Sequence, residues 1–289
     1  MNFAWFAIVL TLFSFADSVA AQKNPLLAQK FNSDHSTHKN RTPVHSPNLP
    51  KLQIKVGVLI GVPSTVIAGS KNSYILDRTG HPLTNIFANK AILVQPRGNN
   101  LILNNQVYPG VIFLQPPQGG FVYIGNKWYR GRVLLVTQGS TLTAVNYVEL
   151  EQYLYSVVGS EMDPQEHMEA LKAQAIAARS YAIVHIIRPA SPWFDLGRTE
   201  QWQAYNGLSK EFNTTQAAVA LTSGEILSYR GGVVESLYAD SDYLVATAHQ
   251  GLGMSQRGAY KLAAQGYNYQ QILGRYYPGV SLARLVLRN

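Results

Sequence analysis

Between residues 53 and 148 the apolar positions come in short runs broken by turn formers. IKVGVLIG, KAILVQ, NLILNN, GVIFLQ, GFVYIG, RVLLVTQ and LTAVNYV follow one another, with Gly, Asn and Pro between them in RGNN and QPPQGG. A spacing of about ten residues and a high content of branched side chains predict strands joined by tight turns. This half reads as a β-rich, largely antiparallel unit, and it carries no cluster of catalytic side chains.

From residue 149 the period changes. Met168, Leu171, Ala175, Ala178, Ala182 and Ile186 recur at steps of three and four, which is the stripe of a helix. Asp163, Pro164 and Glu166 just before it have the order of an N-cap, a first-turn proline and a capping-box acid. We therefore expect a long helix over 164–187, ended before Pro189. A second helix is expected from just after Asn213 to near Thr222. EILSYRGGVVESLYA reads as a hairpin turning at Gly231 and Gly232. SQRGAYKLAAQG reads as a helix closed by Gly266, and YQQILGRYY as a last short helix before Pro278. The fold class is α+β: a β-rich half (53–148) followed by a mixed half of helices and hairpins (149–289).

The N-terminus differs from both halves. Residues 3–16 are continuously apolar or small and end at DSVAAQ, a short stretch with small-residue cleavage positions after Ala20 or Ala21. It is shorter than a bilayer span of about 20 residues, so 1–21 is expected to be a secretory signal peptide. An uncleaved anchor, which would put the protein on a membrane, is the alternative. Residues 22–52 are rich in Asn, Ser, His, Pro and Lys and read as a flexible linker, with His35, His38 and His45 as solvated residues of it. The body is expected outside the cytoplasm.

The chain has 289 residues, 46% hydrophobic and 14% charged, with a formal net charge of +8 and no cysteine. Disulfides and thiolate metal sites are excluded. A basic chain outside the cytoplasm favours anionic polymers such as wall glycans. No Lys/Arg cluster or recognised motif points to nucleic acid. GLGMSQRG fits neither a dinucleotide nor a P-loop pattern, and no cofactor is expected.

The chemistry gathers in EQYLYSVVGSEMDPQEHMEALKAQAIAARSYAIVHII, residues 151–187. Glu161 closes a short apolar stretch just ahead of the long helix, and Lys172 and Arg179, seven apart, share a second face of that helix. An apolar setting of Val157, Val158 and Met162 would raise the pKa of Glu161, whereas a helix N-terminus and the two cations would lower it. A second capping or ion-pair role for Glu161, and a solvated face or a pair with Glu169 for Lys172 and Arg179, remain the plainer readings.

YLYSVVGSEM, EALKAQAIAARSYAI, QAYNG at 203–207 and GLGMSQRGAYKLAAQGYNYQQILGRYYPG at 251–279 resemble, in order, the core of the SpoIID/LytB family. WYRG at 128–131 and LTAVNYVELEQYL at 142–154 fit the approach to that core, and together these segments cover about half the chain. The resemblance implies lytic cleavage of peptidoglycan glycan strands stripped of their stem peptides, with Glu161 as the essential acid. It also implies a substrate cleft in which Lys172, Arg179, Tyr181, Gln203, Tyr205, Ser255 and Gln256 are candidate binding residues. A non-catalytic, glycan-binding enhancer of a wall amidase is the alternative function. Two departures matter. Trp202 stands where many members have Cys, and His249-Gln250-Gly251 replaces a His-Gly pair; these are positions associated with a metal in some members, so no metal site is expected here. The segment near 240–250 is also short where many members carry a long insertion.

Overall fold

The computed structural model describes residues 26–30 and 51–287. The expected signal peptide and the three linker histidines lie outside the described residues. One described element falls inside the expected linker: a strand at Leu26–Lys30, antiparallel to Ser281–Leu287.

The first half is β throughout. A seven-stranded sheet runs in the order Leu196–Gly197, Gln53–Val62, Thr141–Glu149, Arg132–Gln138, Val111–Gln115, Ser73–Leu76 and Pro82–Ile86. A six-stranded sheet runs Lys127–Tyr129, Val122–Ile124, Thr65–Gly69, Ile92–Arg97, Asn100–Leu103 and Gln106–Pro109. Pairing is antiparallel except for Leu196–Gly197 beside Gln53–Val62. Buried and half-buried residues alternate along Val111–Gln115 and Val122–Ile124, as a sheet with one face on a core requires. Both inner faces feed one buried cluster that reaches from Ile54 and Ile67 to Ile272 and Leu273.

Among the described residues, six α-helices lie in the second half. Helix α1, Leu150–Glu161, leaves the strand Thr141–Glu149 without an intervening loop. The sequence pattern shows this segment only as a plain apolar stretch, although Leu150, Tyr153, Leu154, Val157 and Val158 fall at helical steps and are all buried. Helix α2 spans Met168–Ile187, starting later than the expected 164. The side chain of Asp163 accepts the Gln165 N–H at 2.9 Å, and its carbonyl accepts the Glu166 N–H at 3.1 Å. Asp163 thus closes a tight turn two residues on instead of capping the helix, and His167 takes the cap position with no side-chain bond.

Helix α2 is also more deeply set than one apolar stripe suggests. From Ala170 to Val184 every residue except Lys172 is buried. It packs on α1, on α3 (Asn213–Leu221), on the strand Glu225–Tyr229 and, past α4 (Asp242–Ala248), on α5 (Gln256–Ala264) and α6 (Tyr269–Tyr276). Its run of alanines permits those close approaches, and a helix apolar all round belongs at the centre.

The hairpin pairs Ser228 with Val233 and Tyr229 with Gly232, so its turn residues are Arg230 and Gly231, one position earlier than expected. Both have positive φ, 49° and 83°, as the preferred two-residue hairpin turn demands. Helix α5 ends before Gly266, whose φ is +89°.

Candidate active site

Glu161 is the last residue of α1, and Tyr153, Val157 and Glu161 share one face at steps of four. Its side chain is half-buried. Oε1 accepts the backbone N–H of Ala204 at 2.7 Å, and Oε2 lies 3.4 Å from Nε2 of Gln256. Burial pushes its pKa above the usual carboxylate value; these two hydrogen bonds pull the other way and lose, and the charge of Glu200 adds to the rise. The helix works in the same direction as burial. Glu161 sits at the C-terminal, negative end of α1, and α2 does not begin until Met168, so the expected help from a helix N-terminus is missing.

Three tyrosines lie close enough to feel the charge of the carboxyl. Burial raises the pKa of Tyr153, Tyr181 and Tyr238, Tyr181 to about 12, and in each the charge of Glu161 contributes to the rise. Gln203, buried, ties two of them together: Oε1 accepts from the Tyr153 hydroxyl at 2.9 Å, and Nε2 donates to the Tyr238 hydroxyl at 2.9 Å and to Ala178 O at 3.1 Å. Every polar atom of that amide is therefore spent on aligning the loop whose next residue, Ala204, holds Glu161.

The opposite wall comes from a short parallel pair, Tyr238–Ala239 beside Met254–Ser255. Gly253, at φ +131°, makes this possible, since a Cβ there would meet Leu237 O at 2.5 Å. Ser255 is buried and caps α5, accepting the Gly258 N–H at 3.0 Å. This cap directs Gln256, the first residue of α5, at Glu161.

The candidate residues thus separate into two groups. Tyr181, Gln203, Ser255 and Gln256 lie around or directly behind Glu161. Tyr205 is in the core: its hydroxyl donates to Asn146 Oδ1 at 2.8 Å, and its ring packs against Tyr153 and Tyr129 with centroids 4.8 and 5.2 Å away. It supports the loop and offers no face for a sugar. Lys172 pairs with Glu169 at 2.6 Å and sits 5.6 Å from the centroid of the Tyr269 ring. Arg179 is fully buried, forked onto both oxygens of Glu151 at 2.8 Å and onto Val219 O and Glu225 O. Neither cation reaches Glu161, because the face they share on α2 packs against neighbouring elements.

Tyr153 and Tyr238 were not legible as site residues. The signal for Tyr153 was its step of eight from Glu161 on an unrecognised helix; Tyr238 comes from a two-residue strand with no sequence signature. Among the described residues no three His, Asp or Glu side chains converge as a metal site. Trp202 packs on Gly197, where a Cβ would come within 2.3 Å of its ring, and Nε2 of His249 lies 3.3 Å from Tyr238 O. An indole has no lone pair to give a metal, so these positions do not fit one. Helix α4 occupies the short segment where an insertion was expected to be missing.

Residues 138–229, which include Glu161 and Gln203, match the sequence model of the family described as SpoIID, Stage II sporulation protein. An uncharacterised protein of Brachyspira hyodysenteriae is 37% identical over 131 residues, 45% of this chain and 35% of its own length. Stage II sporulation protein D of Bacillus subtilis is 32% identical over 110 residues, 33% of this chain and 32% of that protein. The amidase enhancer of Bacillus subtilis is 35% identical over 89 residues, 31% of this chain and 12% of that protein. The chain therefore spans about a third of the first two relatives and less of the third.

Proposed function

This chain belongs to the SpoIID/LytB family, and on that premise we propose that it acts on the bacterial cell wall as a lytic transglycosylase of peptide-free glycan strands. The observation that carries this reading is Glu161: a half-buried carboxyl whose pKa is raised, gripped by the Ala204 N–H and facing the Gln256 amide. A carboxyl with a raised pKa keeps its proton to higher pH and can deliver it to a glycosidic oxygen.

Hydrolysis of such a bond ordinarily uses two carboxylates. Lytic cleavage needs one. Glu161 gives its proton to the departing oxygen as the C1–O bond breaks. The 6-hydroxyl of the same muramoyl residue then closes on C1 and returns its proton to Glu161. The product is a 1,6-anhydro end and no water is consumed. Tyr153, Tyr181 and Tyr238 keep the carboxyl in a weakly solvating setting, and Gln203 fixes the loop that positions it. Work on the wall places the protein outside the cytoplasm, with residues 1–21 as the export signal.

The test is cleavage of amidase-stripped glycan strands by the wild type and by Glu161→Gln, with products read by mass spectrometry. Anhydro ends from the wild type alone are the expected result; reducing ends would make it a hydrolase instead. The name of the amidase enhancer relative favours a second reading, a wall-binding protein that stimulates an amidase without cutting. Glycan binding with no cleavage, together with a faster amidase in the mixture, would select that one.

A further inference from the structure

Lys172 and Arg179 are committed to other partners, so the acid needs another source of positive charge if it is to recognise an anionic glycan. One lies next to Ser160, the residue before Glu161. Asn206 Nδ2 donates to Oγ of Ser160 at 3.2 Å, and Asn206 Oδ1 accepts from Nζ of Lys127. The Lys127–Tyr129 strand is held against this loop, where a Cβ on Gly207 would meet Trp128 O at 2.2 Å. Arg198 stands at the loop's start: its carbonyl accepts the Tyr205 N–H at 3.0 Å, and its Nε donates to Val58 O at 2.7 Å, which leaves the rest of the guanidinium for an anion. Lys210 stands at the loop's end, with its carbonyl pressed against Gly159 of α1, where a Cβ would meet it at 2.2 Å.

Lys127 thus lies beside the last turn of α1, with Arg198 and Lys210 at the two ends of the loop that carries Asn206. Burial lowers the pKa of Lys127, and the charges of Arg198 and Lys210 lower it further, so the three feel one another. Among the described residues none of them makes an ion pair. Glu211, next to Lys210, is taken by Arg130 at 2.7 Å. A cluster of like charges is unfavourable by itself and becomes favourable when an anion enters.

We propose that Lys127, Arg198 and Lys210 form a carboxylate subsite that binds the free lactyl carboxylate of a muramoyl residue next to the bond held at Glu161. The inference rests on the lytic reading above and deepens it. In an intact strand the lactyl carboxyl is tied up as an amide to the stem peptide and is neutral. Once the peptide is removed it is an anion. The subsite would make the enzyme select strands by the charge that peptide removal creates.

The test uses the full chain carrying Glu161→Gln, so that no strand is cut during the measurement. Its equilibrium affinity is measured for peptide-free glycan strands and for the same strands with their lactyl carboxyls methyl-esterified. We expect the free acid to bind about tenfold tighter at low ionic strength, with the preference shrinking as salt rises. Lys127→Gln, Arg198→Gln and Lys210→Gln together should bring the ratio close to one. Lys210→Gln alone, at an exposed position, should lower it about two- to fourfold. Equal binding of the two strands, or an unchanged ratio in the triple variant (in Lys210→Gln, should the triple not fold), overturns the subsite. An enzyme that cleaves but shows no ratio loses only the subsite; a ratio without any cleavage by the wild type loses only the lytic reading.

Discussion

The backbone N–H of Ala204 donates to Oε1 of Glu161 at 2.7 Å, across 43 residues of sequence. This bond joins the end of α1 to the loop that follows the Leu196–Gly197 strand, and it fixes the direction in which the acid points. It stabilises the charged carboxylate, yet burial outweighs it and the pKa stays raised. The site therefore favours the protonated acid in a fixed geometry, and no cation is among the groups that shift its pKa.

A pH dependence follows for activity. In the proposed reaction the proton donor is the neutral form of Glu161, whose pKa lies above the usual 4.5. Cleavage should fall as pH rises through that raised value. Gln256→Leu removes a hydrogen bond to the ionised form and should move the falling limb to higher pH. Initial rates of anhydro-end formation across pH give both limbs, and a limb that stays at or moves below its wild-type position in Gln256→Leu would separate Gln256 from the acid.

Stability should show the same group with a definite sign. A folded-state pKa above the unfolded value means that the folded protein binds the proton more tightly. That advantage is fully present below the unfolded pKa and is lost as pH rises through the folded one. Glu161→Gln keeps an acceptor for the Ala204 N–H and removes the cost of ionising a half-buried acid. Thermal melting of the variant minus the wild type should be positive at neutral pH and shrink on acidification. A difference that grows toward low pH contradicts the raised pKa.

Gln203 is predicted to matter through alignment. Its amide bonds the hydroxyl of Tyr153 and the carbonyl of Ala178 in a buried setting, and the partly buried hydroxyl of Tyr238. Gln203→Leu preserves size but leaves the Tyr153 hydroxyl without its partner, at a cost of about 1–3 kcal/mol. The loop carrying Ala204 should loosen with it. Urea unfolding gives the first quantity, and kcat at saturating glycan, falling more than KM rises, gives the second.

Much of the architecture was readable because it depends on local rules. Strands from Gln53 to Glu149 follow alternation and turn residues, helices α5 and α6 start at the side-chain caps Ser255 and Asn268, and α5 stops before Gly266. Helix α1 was missed because it grows directly out of a strand with no capping side chain between them, so its apolar residues merged with those of the strand. Asp163 misled for the opposite reason: a good cap residue that closes a turn of its own. At the site, Glu161 and Gln203 were marked by the family pattern. Arg179 and Tyr205 carry the same pattern, but sequence does not distinguish a side chain facing the cleft from one buried behind it. The cluster of Lys127, Arg198 and Lys210 was invisible because its members lie on three segments that only the fold brings together.

Gly159 tests the packing that places Lys210. An alanine there would gain up to about 1 kcal/mol of helix propensity. Its Cβ would meet Lys210 O at 2.2 Å and the Phe212 ring at 3.0 Å. A backbone carbonyl cannot rotate away as a side chain can, so the clash should win, with a net loss of about 1–3 kcal/mol. Urea unfolding checks the sign, and a stabilised Gly159→Ala would mean that the Gly207–Lys210 turn yields.

The buried fork of Arg179 on Glu151 makes the sharpest separation between structure and substrate binding. The guanidinium is fully buried, whereas the Glu151 side chain is 35% exposed, and two carbonyls take two more of the arginine's N–H groups. Lysine cannot reproduce a planar bidentate pair, so Arg179→Lys should cost several kcal/mol, about 3–5. Glu151→Gln keeps the shape and removes the charge; water can reach that side, which screens the pair, and the loss should be smaller, about 2–3 kcal/mol. Arg179→Met with Glu151→Leu removes both charges together and should recover much of the stability lost in either single change. If Arg179 held substrate, its variants would raise KM for glycan even at temperatures where they remain folded. With the guanidinium enclosed between α2, α3 and the strand Glu225–Tyr229, KM should stay at the wild-type value while the unfolding midpoint falls.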